Sequence, residues 1–582
     1  MNIIGISAFF HDSSCCLLQD GLLVAAASEE RFSRIKHDAR LPVSAFRFCL
    51  DQGKISINDI DIIAYYENPF TKADRQQWAL GQVQSGHIQL PDPDFPENEI
   101  RDKLGFDGEI LFFDHHSSHA ASAFFYSGFE ESAIYTADSV GEWTTTTFGR
   151  GVGSQIKRVD EILFPHSIGL LYSTITAFLG FGVNNGEYRV MGLAPYGKPL
   201  YLKKLWNLIQ LKDQGGFELD LQYFDFIAGS TMYSEKLADL VGFLPRKPES
   251  EITKIHFDLA ASIQCLLEEV LLFQIDFLHQ KVPSENLCMA GGVALNCVAN
   301  SKILNTGKFK NLFIQPAAGD AGGCVGAATL AHIQITKTWS IKRQKHINLG
   351  SSFNQNQIKL ILQGIGIKYL FFNDEQELLN IISIQFLSEN KIIGWFQGPM
   401  EFGPRALGSR SILANPRDPE MRDRINKMVK KREAFRPFAP SVLEEHASDH
   451  FKLDHPSPFM LETCQVISPL QLPAITHVDG SARPQTVGGY ANPKFRKLLE
   501  TYYELTGCPI LLNTSFNVRG EPIVCTPVDG LICMIEANLD ALVIGDFLIE
   551  KSSISETQRA LLYTLKPKRK TGNLKDNLYT FV

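Results

Sequence analysis

No two of the eleven cysteines stand in a CxxC spacing, their number is odd, and most lie in apolar stretches such as "SSCCLL" and "GLICMIE". That pattern excludes a disulfide framework and predicts buried, reduced thiols in a cytoplasmic protein. An apolar run free of charge is also missing. The most apolar helix candidate, "FDLAASIQCLLEEVLLFQIDFLHQ", carries Asp258, Glu268, Glu269 and Asp276, so it is unsuited to crossing a bilayer. At the N-terminus there is neither a basic segment nor a cleavable apolar one, and "MNIIGISAFF" enters a strand at once. Positive charge is not in excess: the formal net charge is −8, which argues against a nucleic-acid surface covering the protein but leaves room for a local basic pocket. Low-complexity tracts and long repeats are absent. These absences leave a soluble globular chain with no membrane partner and no nucleic-acid partner.

A chain of 582 residues, 44% hydrophobic and 21% charged, is too long for a single core. The strand "NIIGIS", a polar turn and two further strands joined at Asp20-Gly21 open the chain. A similar design returns at "ESAIYTADSVGEWTTTTFGRG", an echo that an actin-like ATPase architecture uses to hold phosphate between two lobes. Helices are predicted at 167–180 and 257–280. "NLCMAGGVALNCVANSKI" and "NLFIQPAAGDAGGCVGAATLAHI" each read as a strand, a glycine turn and a helix, which places backbone N–H groups against an anion. The polar stretch "TKTWSIKRQKHINLGSSFNQNQ" resembles a linker. Beyond it lies a second α/β segment with a helix near 375–389. The expected domains are 1–345 and 346–582.

Two polar constellations stand out. "DHHSSHAASAFF" predicts a helix start after "DHHSS", and on a helix His115 and His119, four apart, share a face. With Asp138 and Asp320, each ending an apolar strand, they offer two imidazoles and two carboxylates, a set that suits Fe(II), Mn(II) or Zn(II). The alternative is that the histidines cap and pack a helix and the aspartates cap turns. His11 and Asp12 in "FFHDSS" form a possible acid–base pair. In the second half, Arg405 and Arg410 sit among Gly403, Pro404, Gly408 and Ser409, where guanidinium forks can grip phosphate. Arg483, Asn513, Ser515 and Asn517 follow on turns. Together these suggest a pocket for phosphorylated small molecules; the alternative is solvated surface charge.

The stretches "FFHDSS", "DHHSSHAASAFF", "EYRVMGLAPYG", "AGGVALN", "GDAGG", "GPRALGSRSILA", "FRPFAPSVL" and "LNTSFN" span nearly the whole chain. In this order they resemble the O-carbamoyltransferases of nodulation-factor, cephamycin and aminoglycoside biosynthesis. The resemblance implies an α/β protein with a Kae-like N-terminal domain of the actin/hexokinase (ASKHA) type and a YrdC-like α/β C-terminal domain. It implies that the C-terminal domain makes carbamoyl adenylate from carbamoyl phosphate and ATP with Mg2+. Arg405, Lys430, Arg436, Arg483, Ser515 and Asn517 would lie around those substrates. The N-terminal domain would then move the carbamoyl group to a hydroxyl of a small-molecule acceptor at an Fe(II)-type ion. Its ligands would be His115, His119, Asp138 and Asp320, with His11 as base and Gly291, Gly292 and Asn296 on the cofactor side. Arg189 and Ser139 depart from the lysine and glycine common in relatives. A related enzyme of tRNA threonylcarbamoyl-adenosine synthesis uses the same domain types, and the acidic balance argues against that reading.

Overall fold

The computed structural model describes residues 1–82, 92–227, 229–430 and 437–566. The chain forms two compact units. Unit 1 contains Met1–Ala25 and Ala39–Gln344; unit 2 contains Ala26–Asp38 and the described part of Lys345–Thr571. No helix among the described residues is long and apolar enough to cross a membrane.

Unit 1 opens with β1 (Asn2–Ser7), β2 (Ser14–Gln19) and β3 (Leu22–Ser28). β1 is buried from its second residue onward, as a central strand covered on both faces must be. At the β2–β3 turn, Asp20 and Gly21 both have positive φ, the conformation of a tight two-residue hairpin. β4 (Ile62–Tyr65) pairs parallel to β1, and β5 (Glu109–Phe112) parallel to β4. The sheet order is therefore β3-β2-β1-β4-β5.

After the helix α1 (His115–Ser127), the second half repeats the plan. β6 (Glu131–Ala137), β7 (Thr144–Val152) and β8 (Gln155–Leu163) form an antiparallel meander. The helices α2 (Ile168–Phe178) and α3 (Lys254–Lys281) follow, then β9 (Asn286–Ala290). β9 runs parallel to β6 and to β10 (Asn311–Ile314). The order β8-β7-β6-β9-β10 matches the first sheet strand for strand. That duplicated order makes unit 1 an actin/hexokinase-type α/β fold. The weak echo in sequence is thus a structural repeat.

Unit 2 is built on one eight-stranded mixed sheet. Its strands in chain order are β11 (Leu370–Phe371), β12 (Ile393–Phe396), β13 (Arg410–Ala414), β14 (Ala439–Leu443), β15 (Gln485–Val487), β16 (Ile510–Ser515), β17 (Ala541–Ile544) and β18 (Phe547–Glu550). Across the sheet they run β11-β18-β17-β12-β13-β16-β14-β15. Trp395 on β12 is fully buried, and its indole N–H is satisfied by the Gly408 carbonyl at 3.0 Å. The helix expected near 375–389 is α-helical over Glu375–Ile381 and widens to a π-helical turn over Ile382–Leu387.

Candidate functional site

In unit 1 the chemistry-bearing residues all leave the carboxyl ends of strands, where ligand sites of α/β sheets gather. β1 runs into the turn holding His11, β5 into α1, and β6 into the turn that starts at Asp138. β9 ends at Gly291-Gly292, and β10 leads to Asp320. α1 begins at His115, earlier than "DHHSS" suggests, because the Asp114 carboxylate accepts the Ser117 N–H at 2.7 Å and caps the helix in front of both histidines. The helix Gly323–Thr336 after Asp320 packs against α1 at Gly326, where a Cβ would stand 1.7 Å from the Ser118 carbonyl oxygen. Only glycine permits that approach.

The result is a closed cluster of four buried side chains, His115, His119, Asp138 and Asp320, whose ligand atoms lie within 4.8 Å of one another. The two imidazole Nε2 atoms are 3.1 Å apart. His119 Nε2 is 3.2 Å from Asp138 Oδ2 and 3.7 Å from Asp320 Oδ1; the same distances from His115 Nε2 are 3.9 and 3.8 Å. Donors on one ion at about 2.0–2.2 Å cannot be separated by much more than twice that length, so these atoms fit one centre. Asp320 is 1% exposed, and neither carboxylate oxygen accepts a hydrogen bond. A buried carboxylate without donors is costly unless a cation or a proton neutralises it, and the two imidazoles beside it are metal-ligand types. The residues present therefore fit a divalent metal.

The two carboxylates also act on the imidazoles beside them. Burial works against the charged forms, yet the Asp138 hydrogen bond and the Asp320 charge raise His115 to about 9. Burial likewise opposes ionisation of Asp138, but hydrogen bonds from His115 and His119 hold its carboxyl well below the ordinary range. For His11, burial is again outweighed, by Asp320 first and then by Asp12, and its imidazole is raised to about 10. His11 Nε2 lies 3.6 Å from Asp320 Oδ2, and Nδ1 lies 2.9 Å from Asp12 Oδ2. Two buried carboxylates thus favour positive charge on His11 and His115. His116, the third histidine of the run, points elsewhere and bonds Thr136 Oγ1 at 2.7 Å; burial and the neighbouring histidines push it well below the usual value.

Gly291 and Gly292 do meet this site. The Gly292 N–H donates to Asp138 Oδ2 at 3.1 Å, and Gly291, at φ 91°, sits where a Cβ would stand 2.1 Å from the Ala137 carbonyl. Asn296 instead caps the helix Cys297–Asn305 and exchanges hydrogen bonds with Gln264 at 3.0 and 3.1 Å. The two departures noted in sequence leave the four residues undisturbed. The Ser139 N–H donates to Asp138 Oδ1 at 2.7 Å, and the Arg189 guanidinium lies 5.8 Å from the Phe181 ring centre.

Sequence reasoning missed Glu142. Its carboxylate is 2% exposed and accepts the His115 backbone N–H at 3.0 and 3.2 Å and the Asn68 N–H at 2.6 Å. It therefore fastens the start of the histidine helix to the turn that carries Asp138. Burial and the nearby Asp114 charge raise it to about 7. Its position four residues after Asp138 in "DSVGEW" was the only signal available.

In unit 2, antiparallel pairing of β13 with β16 and of β16 with β14 turns one sheet end toward the predicted anion residues. The loop holding Arg405 enters β13 there, Ser515 and Asn517 leave β16 there, and Arg483 precedes β15, which is parallel to β14. The Asn513 amide donates to the Ala406 carbonyl at 3.3 Å, and the Gln485 amide to the Leu407 carbonyl at 2.9 Å. Ser515 Oγ donates to Asn517 Oδ1 at 2.7 Å. Lys430 is the last residue of the π-helical turn Ile425–Lys430. Arg436 lies outside the described residues.

Arg410 does not grip a ligand as expected. It is fully buried, with its guanidinium 3.5 Å from the Phe396 ring centre. It donates to the carbonyls of Gln397 (3.2 Å), Gly398 (3.0 Å), Ser409 (3.0 Å) and Ser351 (2.9 Å). Burial lowers it to about 10. It is a structural clamp under the loop.

Comparison with known proteins gives a consistent result. The family model described as Carbamoyltransferase N-terminus matches residues 2–329, and that described as Carbamoyltransferase C-terminus matches residues 384–551. The chain is 37% identical over 577 residues to nodulation protein NolNO of Sinorhizobium fredii, covering 96% of this chain and 82% of that protein. It is 37% identical to nodulation protein NolO of Bradyrhizobium diazoefficiens over 78% of this chain and 82% of that protein. An uncharacterized protein of Synechocystis sp. is 43% identical over 95% of this chain and 97% of its own length. Among solved structures, the ROK hexokinase from Thermus thermophilus overlaps 58% of this chain and 100% of its own at 12% identity, with a TM-score of 0.29.

Proposed function

The chain belongs to the carbamoyltransferase family, and from that premise we propose that it is an ATP-dependent O-carbamoyltransferase that works in two half-reactions. It is an enzyme that transfers carbamoyl groups. In the first half-reaction, at the Arg405–Arg483–Ser515–Asn517 end of the unit 2 sheet, water cleaves carbamoyl phosphate to carbamate and phosphate, and a carbamate oxygen then attacks the α-phosphorus of ATP, giving carbamoyl adenylate and pyrophosphate. Carbamate is a poor electrophile, and its union with AMP supplies a good leaving group. Arginine forks suit this step because phosphate charge shifts between oxygens while the guanidinium stays fixed. Lys430 and Arg436 are the further cations proposed for this pocket, and Mg2+ would accompany ATP.

The second half-reaction is assigned to unit 1. The acceptor is a hydroxyl-bearing small molecule of secondary-metabolite, toxin or sugar type, whose oxygen takes the carbamoyl carbon as AMP leaves. The observation that carries this assignment is the buried His115–His119–Asp138–Asp320 cluster with its donor-free Asp320 carboxylate. A divalent ion of the iron type, held by these four side chains, would supply Lewis-acid stabilisation of negative charge on carbamoyl and phosphate oxygens. His11 is the proposed base. Apart from burial, Asp320 is the main influence on its proton, so a neutralised Asp320 leaves the imidazole free to accept the acceptor's proton. Gly291, Gly292 and Asn296 are proposed on the adenylate side of the cluster.

The test is pyrophosphate release from ATP without acceptor. It should require carbamoyl phosphate, and Arg405→Ala should slow it on the order of 10²-fold. Release that is indifferent to carbamoyl phosphate would refute the reading.

A further inference from the structure

The segment Ala26–Asp38 stands near the N-terminus and begins within β3 of the first hairpin, yet it is part of unit 2. Two arginines fix it there. Arg34 donates to the carbonyls of Pro522 at 2.9 Å and Ile523 at 2.7 Å, and its Nε lies 3.7 Å from Asp529. Arg31 is 6% exposed, and its Nη2 donates to the Gly403 carbonyl at 2.9 Å, across 372 positions of sequence. Arg31 Nη1 meets Glu30 Oε1 at 3.1 Å, while Glu30 Oε2 accepts the His37 N–H at 2.9 Å. Glu30 is itself 7% exposed. The guanidinium is therefore aimed by a buried carboxylate that is in turn aimed by the segment's own backbone.

Gly403 begins the "GPR" of the anion loop, two residues before Arg405. The rest of the loop has its own holds. Glu401 Oε1 accepts the N–H groups of Leu407 (2.7 Å), Ser409 (2.7 Å) and Arg410 (3.3 Å), while Asn513 and Gln485 take the carbonyls of Ala406 and Leu407. Those contacts act from Ala406 onward. Within 403–405, Gly403 has φ 120°, Pro404 has no N–H to donate, and the Gly403 carbonyl accepts from Arg31. A buried charged pair adds little net stability, because desolvation offsets attraction. Its consequence here is placement of the loop.

We propose that Arg31 is a positioning residue for the carbamoyl-adenylate half-reaction, holding the Gly403–Arg405 stretch so that the Arg405 fork meets its anion. This rests on the assignment of Arg405 to that half-reaction. A side chain from the first thirty-odd residues thus belongs to the machinery of the C-terminal reaction.

The experiment uses the full-length protein and reads pyrophosphate release against carbamoyl phosphate concentration. Arg31→Ala alone removes one charge of a buried pair, so the principal variant is Glu30→Gln/Arg31→Met, which removes both charges and keeps the volume. Arg31→Lys is the conservative companion, able to reach Gly403 but not to fork. The double variant should show a kcat/KM for carbamoyl phosphate lowered on the order of 10- to 100-fold at an unchanged unfolding midpoint, because misplacing a binding group by about 1 Å has effects of that size. Most of the change should appear in KM, and Arg31→Lys should recover part of it. Arg405→Ala separates the two ideas. If Arg405→Ala is crippled while Glu30→Gln/Arg31→Met behaves as wild type, the positioning role is overturned and the assignment of Arg405 stands. If Arg405→Ala itself is normal, the assignment falls first. A double variant that loses rate only in proportion to the fraction unfolded also overturns the proposal.

Discussion

The two candidate sites are built by opposite means. The unit 1 cluster is buried and carries two carboxylates, and its donors sit on or next to regular structure: a helix with histidines four apart, the end of β6 and the helical turn that follows β10. The unit 2 site is cationic and carried by turns, with its loop conformation set by side chains reaching in from β15, β16 and the 26–38 segment. A metal ion needs ligand atoms fixed to within tenths of an ångström, which a helix face and the close packing at Gly326 provide. An anion that changes charge during reaction is met by guanidinium groups whose rigid forks must be aimed, and here turns carry them. The comparison predicts that unit 1 fails by losing its ion, whereas unit 2 fails by losing placement.

The largest expected effect tests the first half of that statement. His119→Ala removes a ligand from the centre of the cluster. Bound iron-type metal should fall to background, and carbamoyl transfer should drop on the order of 10³-fold or more, while pyrophosphate release keeps its wild-type rate. Metal analysis of the purified variant beside both half-reaction assays checks this. Full metal content with normal transfer would dissolve the contrast between the two sites.

A smaller effect is expected at Glu142, which touches no substrate and holds the His115 backbone. Glu142→Gln replaces one acceptor oxygen by a donor facing N–H groups. Metal affinity should weaken on the order of 10- to 100-fold, the usual consequence of disturbing a group behind a ligand. Titration of the metal-free protein with Fe(II) or Zn(II) gives the number directly. Unchanged affinity would mean that α1 needs no help in aiming His115.

Arg410 gives the smallest effect on chemistry and sharpens the comparison within unit 2. Arg410→Met leaves four carbonyl oxygens without their donor, so stability should fall by about 2–4 kcal/mol. The KM for carbamoyl phosphate should move far less than in Arg405→Ala. Denaturant unfolding and steady-state kinetics on both variants distinguish clamp from contact. A KM change in Arg410→Met as large as that in Arg405→Ala would return Arg410 to the anion pocket.

These residues also mark what the sequence could convey. Helical periodicity offered His115 and His119 on one face, and Asp138 and Asp320 stood out after apolar strands, but that pattern left capping equally open and only the family resemblance joined the four as ligands. The duplicated hairpin was visible as an echo, but strand order was not, since pairing between β6 and β9 depends on residues more than 150 positions apart. Arg405 and Arg410 looked alike, five residues apart among glycines. What separates them is that Arg410 starts β13 and stacks under Phe396, a fact of tertiary packing. Arg31 carried no local pattern, and Glu142 only its place four residues after Asp138, because each acts through a backbone group distant in sequence.

The most direct test of the central claim, that each unit carries one half-reaction, supplies synthetic carbamoyl adenylate and a hydroxyl acceptor to folded, metal-loaded Arg483→Ala protein and follows carbamoylated product by mass spectrometry. The account predicts product at close to the wild-type rate, although the same protein makes little carbamoyl adenylate from carbamoyl phosphate and ATP. Failure to form product from the ready-made adenylate would contradict the division of labour.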